Sequence, residues 1–321
     1  MAEASTSVAI PALGVARGGP VSRFTRWLAS ERVFRLIPFV LVETLFVLIV
    51  LVPFALTIWI SLLKWRANRP FETARFSGLE NYESVLGNDQ FWLALGRTFY
   101  FAGVAVALEL FLGFVLAMLV SRCTRSRKLY TTIFLVPMMI VPIVVGYNFS
   151  MIYIDSGPLN QILSPFLERF GIDPRIRWLS HPIAAQWGII LADVWQWTPF
   201  MFVILLAGLA AIPDELYEAT EMDGAQPRQS FFFVTLPLLT PIILIAVTFR
   251  FIDAAKLFDI IYSLTRGGPG TETYTTSYFL YYQGFQAFHI GQATAGSWMF
   301  MIALSVIAYW LVRRLLRPVE A

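Results

Sequence analysis

Residues Glu215–Pro241, ELYEATEMDGAQPRQSFFFVTLPLLTP, form a polar, acidic island between two long apolar runs. Such a segment lies outside a bilayer, yet its composition is that of a structured element. Pro213 suits a first helical position, and Asp214 and Glu215 complement the positive start of a helix. Asp223-Gly224 ends it, because glycine takes the left-handed cap conformation without strain. Ala219, Thr220 and Ala225 are small enough for another protein surface to approach closely. A short, acidic, small-faced helix between membrane spans is suited to docking on a partner.

The composition around this island is that of a membrane protein. Of 321 residues, 57% are hydrophobic and only 14% charged, and the mean hydropathy is +0.66, outside the range of ordinary soluble enzymes. The net charge of +3 comes without a sustained basic tract, which argues against a nucleic-acid partner. One cysteine, Cys123, rules out an intrachain disulfide or a cysteine metal cluster, and His181 and His289 have no ligand-spaced neighbours. No metal site is expected.

Apolar runs of about twenty residues each cross the roughly 30 Å hydrocarbon core as a helix. The runs fall near 37–63, 98–121, 131–154, 183–210, 238–260 and 293–312, so six spans place both termini on one side. Residues 1–35, with Arg17, Arg23, Arg26, Arg32 and Arg35, are expected to be a disordered, basic lead-in, and residues 36–321 the six-span domain with its loop at 211–237. Arg122, Arg125, Arg127 and Lys128 between the second and third runs, and Arg313, Arg314 and Arg317 at the end, argue for cytoplasmic termini. Lys64, Arg66, Arg69, Arg75 and Arg97 oppose this around the first outer loop. Residues 155–182 are proline-rich, and Gly267–Gly270 opens a loop whose tyrosines are spaced for a helix along the interface.

Ionisable groups at membrane depth cost about 2.5–3.5 kcal/mol each on insertion scales, so each requires a reason. The fifth run carries Arg250, Asp253, Lys256 and Asp259 at three-residue spacing, within mutual reach on one helix. They either neutralise one another or face a transport path. Asp193, Gln196 and Trp197 share a face of the fourth run, where carboxylate, amide and indole would suit a sugar. Trp195 reads better as an interfacial anchor. Tyr147 and Asn148, beside Pro142 and Gly146 in an interrupted third run, read as pore residues or as bundle packing. Glu109 and Glu43 stand alone, with Glu109 expected to face inward in a structural role.

The strings DVWQWTPF, LLAGLAAIPDELYEAT, EMDGA and LPLLTP, in this order, resemble the permease subunits of bacterial carbohydrate ABC importers. Glu218-Ala219-Thr220, Asp223-Gly224-Ala225 and Leu236-Pro237 are similar to the EAA loop of that family, which usually has a second alanine where Thr220 stands. FRFIDAAKLFDIIYSLTRGGPG is similar, more loosely, to the family's fifth-span region, and residues 65–97 to the amphipathic segment after its first span. The resemblance runs from about residue 37 to the C-terminus. It implies an all-α integral membrane protein, a six-transmembrane-helix type I ABC importer permease bundle with both termini cytoplasmic, multi-pass in the inner (plasma) membrane. It implies as partners a second homologous permease, two ATPase subunits that carry the ATP and magnesium, an extracytoplasmic solute-binding protein, membrane lipid and a carbohydrate, with no cofactor on this chain. Glu218, Ala219, Thr220, Asp223, Gly224 and Ala225 would contact the ATPase. Asp253, Asp193, Trp197, Lys256, Tyr147, Asn148 and Arg250 are the expected substrate path. The chain has no Walker A loop, HExxH or GxSxG. The competing class is an ion-coupled secondary transporter using Asp193, Asp253 and Asp259, which should show inverted repeats; none is visible.

Overall fold

Helix boundaries in this chain follow its prolines and caps, and the positions of those breaks shape the site. The computed structural model describes residues 31–123, 127–171, 173 and 175–315. Arg17, Arg23, Arg26, Arg125, Pro174 and Arg317 lie outside the described residues. The chain divides into two compact units, Met1–Thr57 and Ile58–Ala321.

In the first unit a helix starts at Glu31, so residues 31–35 are helical rather than part of a disordered lead-in. It feeds the first candidate span, Pro38–Ser61, in which every residue from Pro38 to Leu56 is exposed.

In the second unit the candidate spans are Asp89–Ser121, Pro182–Ala210, Pro227–Ala254 and Ile290–Arg313, with the bent pair Arg127–Met139 and Pro142–Ile152 as a broken third span. The second span starts well before 98. Asn88 accepts a hydrogen bond from the Gln90 backbone N–H at 2.9 Å and Asp89 follows it, so the helix nucleates on a cap outside the apolar run. The third span turns by 92° between Met139 and Pro142, because Pro137 and Pro142 each open a new helical segment at their N-termini. The fifth span begins at Pro227 and ends at Ala254, not at 260. After one α-helical turn, Pro227–Ser230, it passes through a π-helical turn, Phe231–Thr235, just before Pro237, whose missing N–H leaves a carbonyl for the ladder to bypass.

The fourth span is the axis of the unit. It is 67% buried along its most apolar stretch, against 33% for the second and less for the others. Gly113 of the second span lets the two approach closely, since a Cβ there would stand 2.6 Å from Met201 Cβ. Outside the spans, residues 155–182 contain a helix, Pro158–Arg169, which is anchored by buried Asn160 accepting from Trp178 Nε1 at 3.0 Å. The tyrosine-rich loop forms a helix at Thr276–Tyr281 extended by a π turn. Tyr278 and Phe279 are buried, leaving Tyr282, Phe285 and Phe288 exposed, so this segment is packed on the bundle more than it lies along an interface.

Candidate functional site

Two sites emerge, one where the fourth span passes into the fifth, the other between the middle of the fourth span and the far end of the fifth. At the first, the helix Asp214–Met222 links them. Pro213 is its N-cap, one residue earlier than expected. The C-terminus closes as a Schellman motif: Gly224 at φ +73° donates to the Glu221 carbonyl at 3.0 Å, and Ala225 to that of Thr220 at 2.9 Å. Glu218, Ala219, Asp223 and Gly224 are exposed.

Thr220 and Ala225 are only half-exposed, and Thr220 turns inward. Its hydroxyl donates to the Tyr217 carbonyl at 2.8 Å and accepts from Ser230 at 3.0 Å, while Tyr217 pairs with Thr235 at 3.0 Å. The position where the family usually has alanine therefore braces the helix against the π turn of the fifth span. Met222, 88% exposed, and Leu216 add an apolar element to the helix surface that the acidic composition concealed. Behind the helix lies an open recess of about 930 Å³ bordered by Arg122, Arg127 and Arg228.

The second site sits where two helices are interrupted. A cavity of about 230 Å³ is lined by Pro142 at the bend of the third span, by Asp193 and Trp197 of the fourth, and by Arg250, Asp253, Lys256 and Asp259 around the end of the fifth. Irregular backbone at membrane depth is tolerated where it lines a cavity or is satisfied by protein. Both apply here, since Gln196 donates Nε2 to the Ile140 carbonyl freed by the bend at 2.7 Å.

The chemistry of this site centres on Arg250, whose side chain is only 2% exposed. Its Nη2 donates to Glu109 Oε1 at 2.9 Å and to Asp193 Oδ2 at 2.5 Å. Its Nε stands 2.9 Å from Glu109 Oε2, but neither atom has hydrogen-bond alignment, so that contact is Coulombic. Its guanidinium carbon lies 4.9 Å from the centre of the Trp197 ring, a cation–π contact. Nη1 reaches Asp253 Oδ2 at 3.3 Å. Glu109 is fully buried and faces inward as expected, but it does not stand alone, since Arg250 is its partner.

The four alternating charges do not form one helical row. The fifth span stops at Ala254, and Asp259 opens a separate helix, Asp259–Leu264. Lys256 turns back to Asp253 at 3.8 Å; among the described residues no ion pair joins it to Asp259. Tyr147 and Asn148 are exposed and do not line the cavity. Of the expected path residues, Asp193, Trp197, Arg250, Asp253 and Lys256 converge. Trp197 has a face covered by Arg250, which removes that face from sugar stacking.

A bundle of long apolar helices with a polar cavity at its helix breaks and an exposed acidic helix between two of its spans has the layout of an integral-membrane transport subunit. Residues 109–320 match the family described as the binding-protein-dependent transport system inner membrane component, and the chain belongs to that family. It is 40% identical over 267 residues (83% of this chain, 84% of the relative) to a probable ABC transporter permease of Sinorhizobium fredii. It is 38% identical over 270 residues (84% and 86%) to the trehalose/maltose transport system permease MalF of Thermococcus litoralis. A bacterial ABC transporter involved in import of the acidic polysaccharide alginate has the same fold, with TM-score 0.75 at 22% identity over 93% of this chain and 100% of that one. The chain is a multi-pass inner-membrane permease subunit of an ABC importer.

Proposed function

We propose that this chain forms half of the translocation path of an ATP-driven importer for a carbohydrate, and that Asp253 is the group in it that meets the solute. Its partners are a second homologous permease, two ATPase subunits that bind ATP and magnesium, and an extracytoplasmic solute-binding protein. The 211–237 loop faces the cytoplasm, and both termini lie on that side. ATP closes the ATPase dimer, the Asp214–Met222 helix carries the motion into the fourth and fifth spans, and the spans open outward to receive solute.

The observation that carries the solute site is the unequal exposure of three carboxylates around one guanidinium. Glu109 and Asp193 are buried and hold Arg250, whereas Asp253 is 39% exposed toward the cavity. A carboxylate there accepts hydrogen bonds from sugar hydroxyls, and Lys256 at the rim donates to ring or hydroxyl oxygens. The carbohydrate assignment is supported by the trehalose/maltose permease that this chain resembles at 38% identity.

Thermal-shift screening of the cognate binding protein against trehalose, maltose, polyols and uronates identifies the solute. Uptake into proteoliposomes of the full complex then tests the reading. We expect uptake to require ATP and to survive protonophores and sodium ionophores; collapse on ionophore addition with ATP present would leave the secondary-transporter class standing. Detergent pull-down tests the docking face: Glu218→Lys should reduce ATPase capture several-fold while the permease itself is recovered at normal yield.

A further inference from the structure

We propose that Arg250 is a positioning residue for transport: its guanidinium clamps the second span to the fourth and fifth, so that motion entering at the 214–222 helix reaches a span with no covalent link to it. The inference rests on the assignment of that helix as the ATPase-docking element. The fourth span runs directly into the helix and the fifth runs out of it, so both arms are dragged by it. The second span is joined to that pair by side chains alone. Gly113 packs closely on Met201 and Phe202 of the fourth span, and buried apolar side chains fill the seam on either side of it. Glu109 is the charged tie, fully buried, with Arg250 as its ion-pair partner.

The chemistry of the clamp suits three elements that move together. A guanidinium presents five N–H donors in a planar fork, and here three carboxylates from three spans or turns surround it. The pairing is incomplete in this conformation: Asp193 Oδ1 and Glu109 Oε2 have no aligned donor, nor has Arg250 Nε an aligned acceptor. The spare acceptor and donor atoms let Arg250 keep at least one buried carboxylate as the three spans move together, so it is never an unpaired buried cation. A lysine keeps the charge but is a point donor on a flexible stem and loses both the fork and the stacking on Trp197.

The test uses the assembled complex and needs no solute. Spin labels at Phe111→Cys on the second span and Phe233→Cys in the fifth-span π turn, both exposed, are placed in a Cys123→Ser background. Their separation is measured by pulsed electron resonance, nucleotide-free and trapped with ATP and vanadate. We expect the distance to hold within about 2 Å between states in the otherwise native chain, and to change by about 5 Å or more in Arg250→Lys, the scale of a helix slipping a turn. If Arg250→Lys fails to assemble, the charge-balanced Arg250→Met/Glu109→Gln/Asp193→Asn variant, which leaves no buried ion unpaired, is read in its place with the same expectation. The proposal is overturned if the labels separate in the native chain, if an assembled variant keeps the native distance in both states, or if both variants fail to assemble. Failure of the docking assignment is separable, because then native permease captures no ATPase before any label is read.

Discussion

At the scale of single residues, three acidic side chains of one chemical type are distinguished by where the backbone puts them. Replacing Asp193 or Glu109 removes a partner of a buried cation, a class of change that costs about 3–5 kcal/mol. Asp253→Asn does not, because Arg250 keeps both buried carboxylates. Asp253→Asn should therefore give a complex at native yield, with uptake and solute-stimulated ATP hydrolysis reduced about tenfold or more, equivalent to the loss of a charge-assisted hydrogen bond. Yield falling in step with uptake would return Asp253 to a purely structural role. Gly224 is a second such residue. A Cβ there meets nothing within 4 Å, yet the residue sits at φ +73°, so Gly224→Val is opposed by backbone strain of about 1–2 kcal/mol and not by crowding. ATPase capture should drop several-fold with Gly224→Val and recover substantially with Gly224→Asn, which tolerates the left-handed region; equal loss with both would point to a lost contact instead of a lost cap.

Secondary-structure elements were legible wherever the sequence carries a local cause. The docking helix, its acidic start and its glycine cap all lie within a dozen residues and were readable from Asp214 to Ala225. Prolines 137 and 142 announced an interruption, though not its 92° angle. The end of the fifth span at Ala254 had no such sign: the run through AAKLFDIIY is free of glycine and proline, its Lys256 and Asp259 keep helical spacing, and the segment after the break is packed in, with Ala255, Ile260 and Ile261 fully buried. Pairing of Glu109 with Arg250 was illegible for a different reason, since 141 residues separate them and no local pattern encodes that meeting. The broken third span makes its own prediction. Gln196→Leu keeps the side-chain volume but strips the Ile140 carbonyl of its donor at membrane depth, which should destabilise the permease by about 1–3 kcal/mol and lower its melting temperature in detergent. Gln196→Glu should be worse, because it sets a buried carboxylate against that carbonyl. A melting temperature unchanged in Gln196→Leu would mean that the bend holds without this bond.

For the molecule as a whole, the unresolved physical quantity is its sense in the bilayer. The fold is the same whichever way it is inserted, but the function is not, because a docking helix is useful only on the side where ATP is. Charge alone divides: Arg122, Arg127 and Lys128 at the second-to-third connection argue for one sense, while Lys64, Arg66, Arg69 and Arg75 after the first span argue for the other. The structure relates two of these regions. Arg122 and Arg127 border the same recess as Tyr217, Glu221 and Arg228 of the docking loop, so the basic connection and the docking helix lie on one face of the membrane and must be assigned together. The chain carries its own reporter of that face. Cys123, the only cysteine in the sequence, follows Arg122 and is partly exposed. In intact spheroplasts a membrane-impermeant maleimide should leave Cys123 at the background of a cysteine-free Cys123→Ser control, and permeabilisation should raise labelling toward the level of a denatured sample. Moving the thiol to the opposite end, as Thr271→Cys in the Cys123→Ser background, should reverse the pattern, since Thr271 is exposed in the Gly267–Tyr274 turn. Labelling of Cys123 from outside, with Thr271→Cys protected, would invert the orientation and with it the docking assignment, because no ATPase could reach the 214–222 helix.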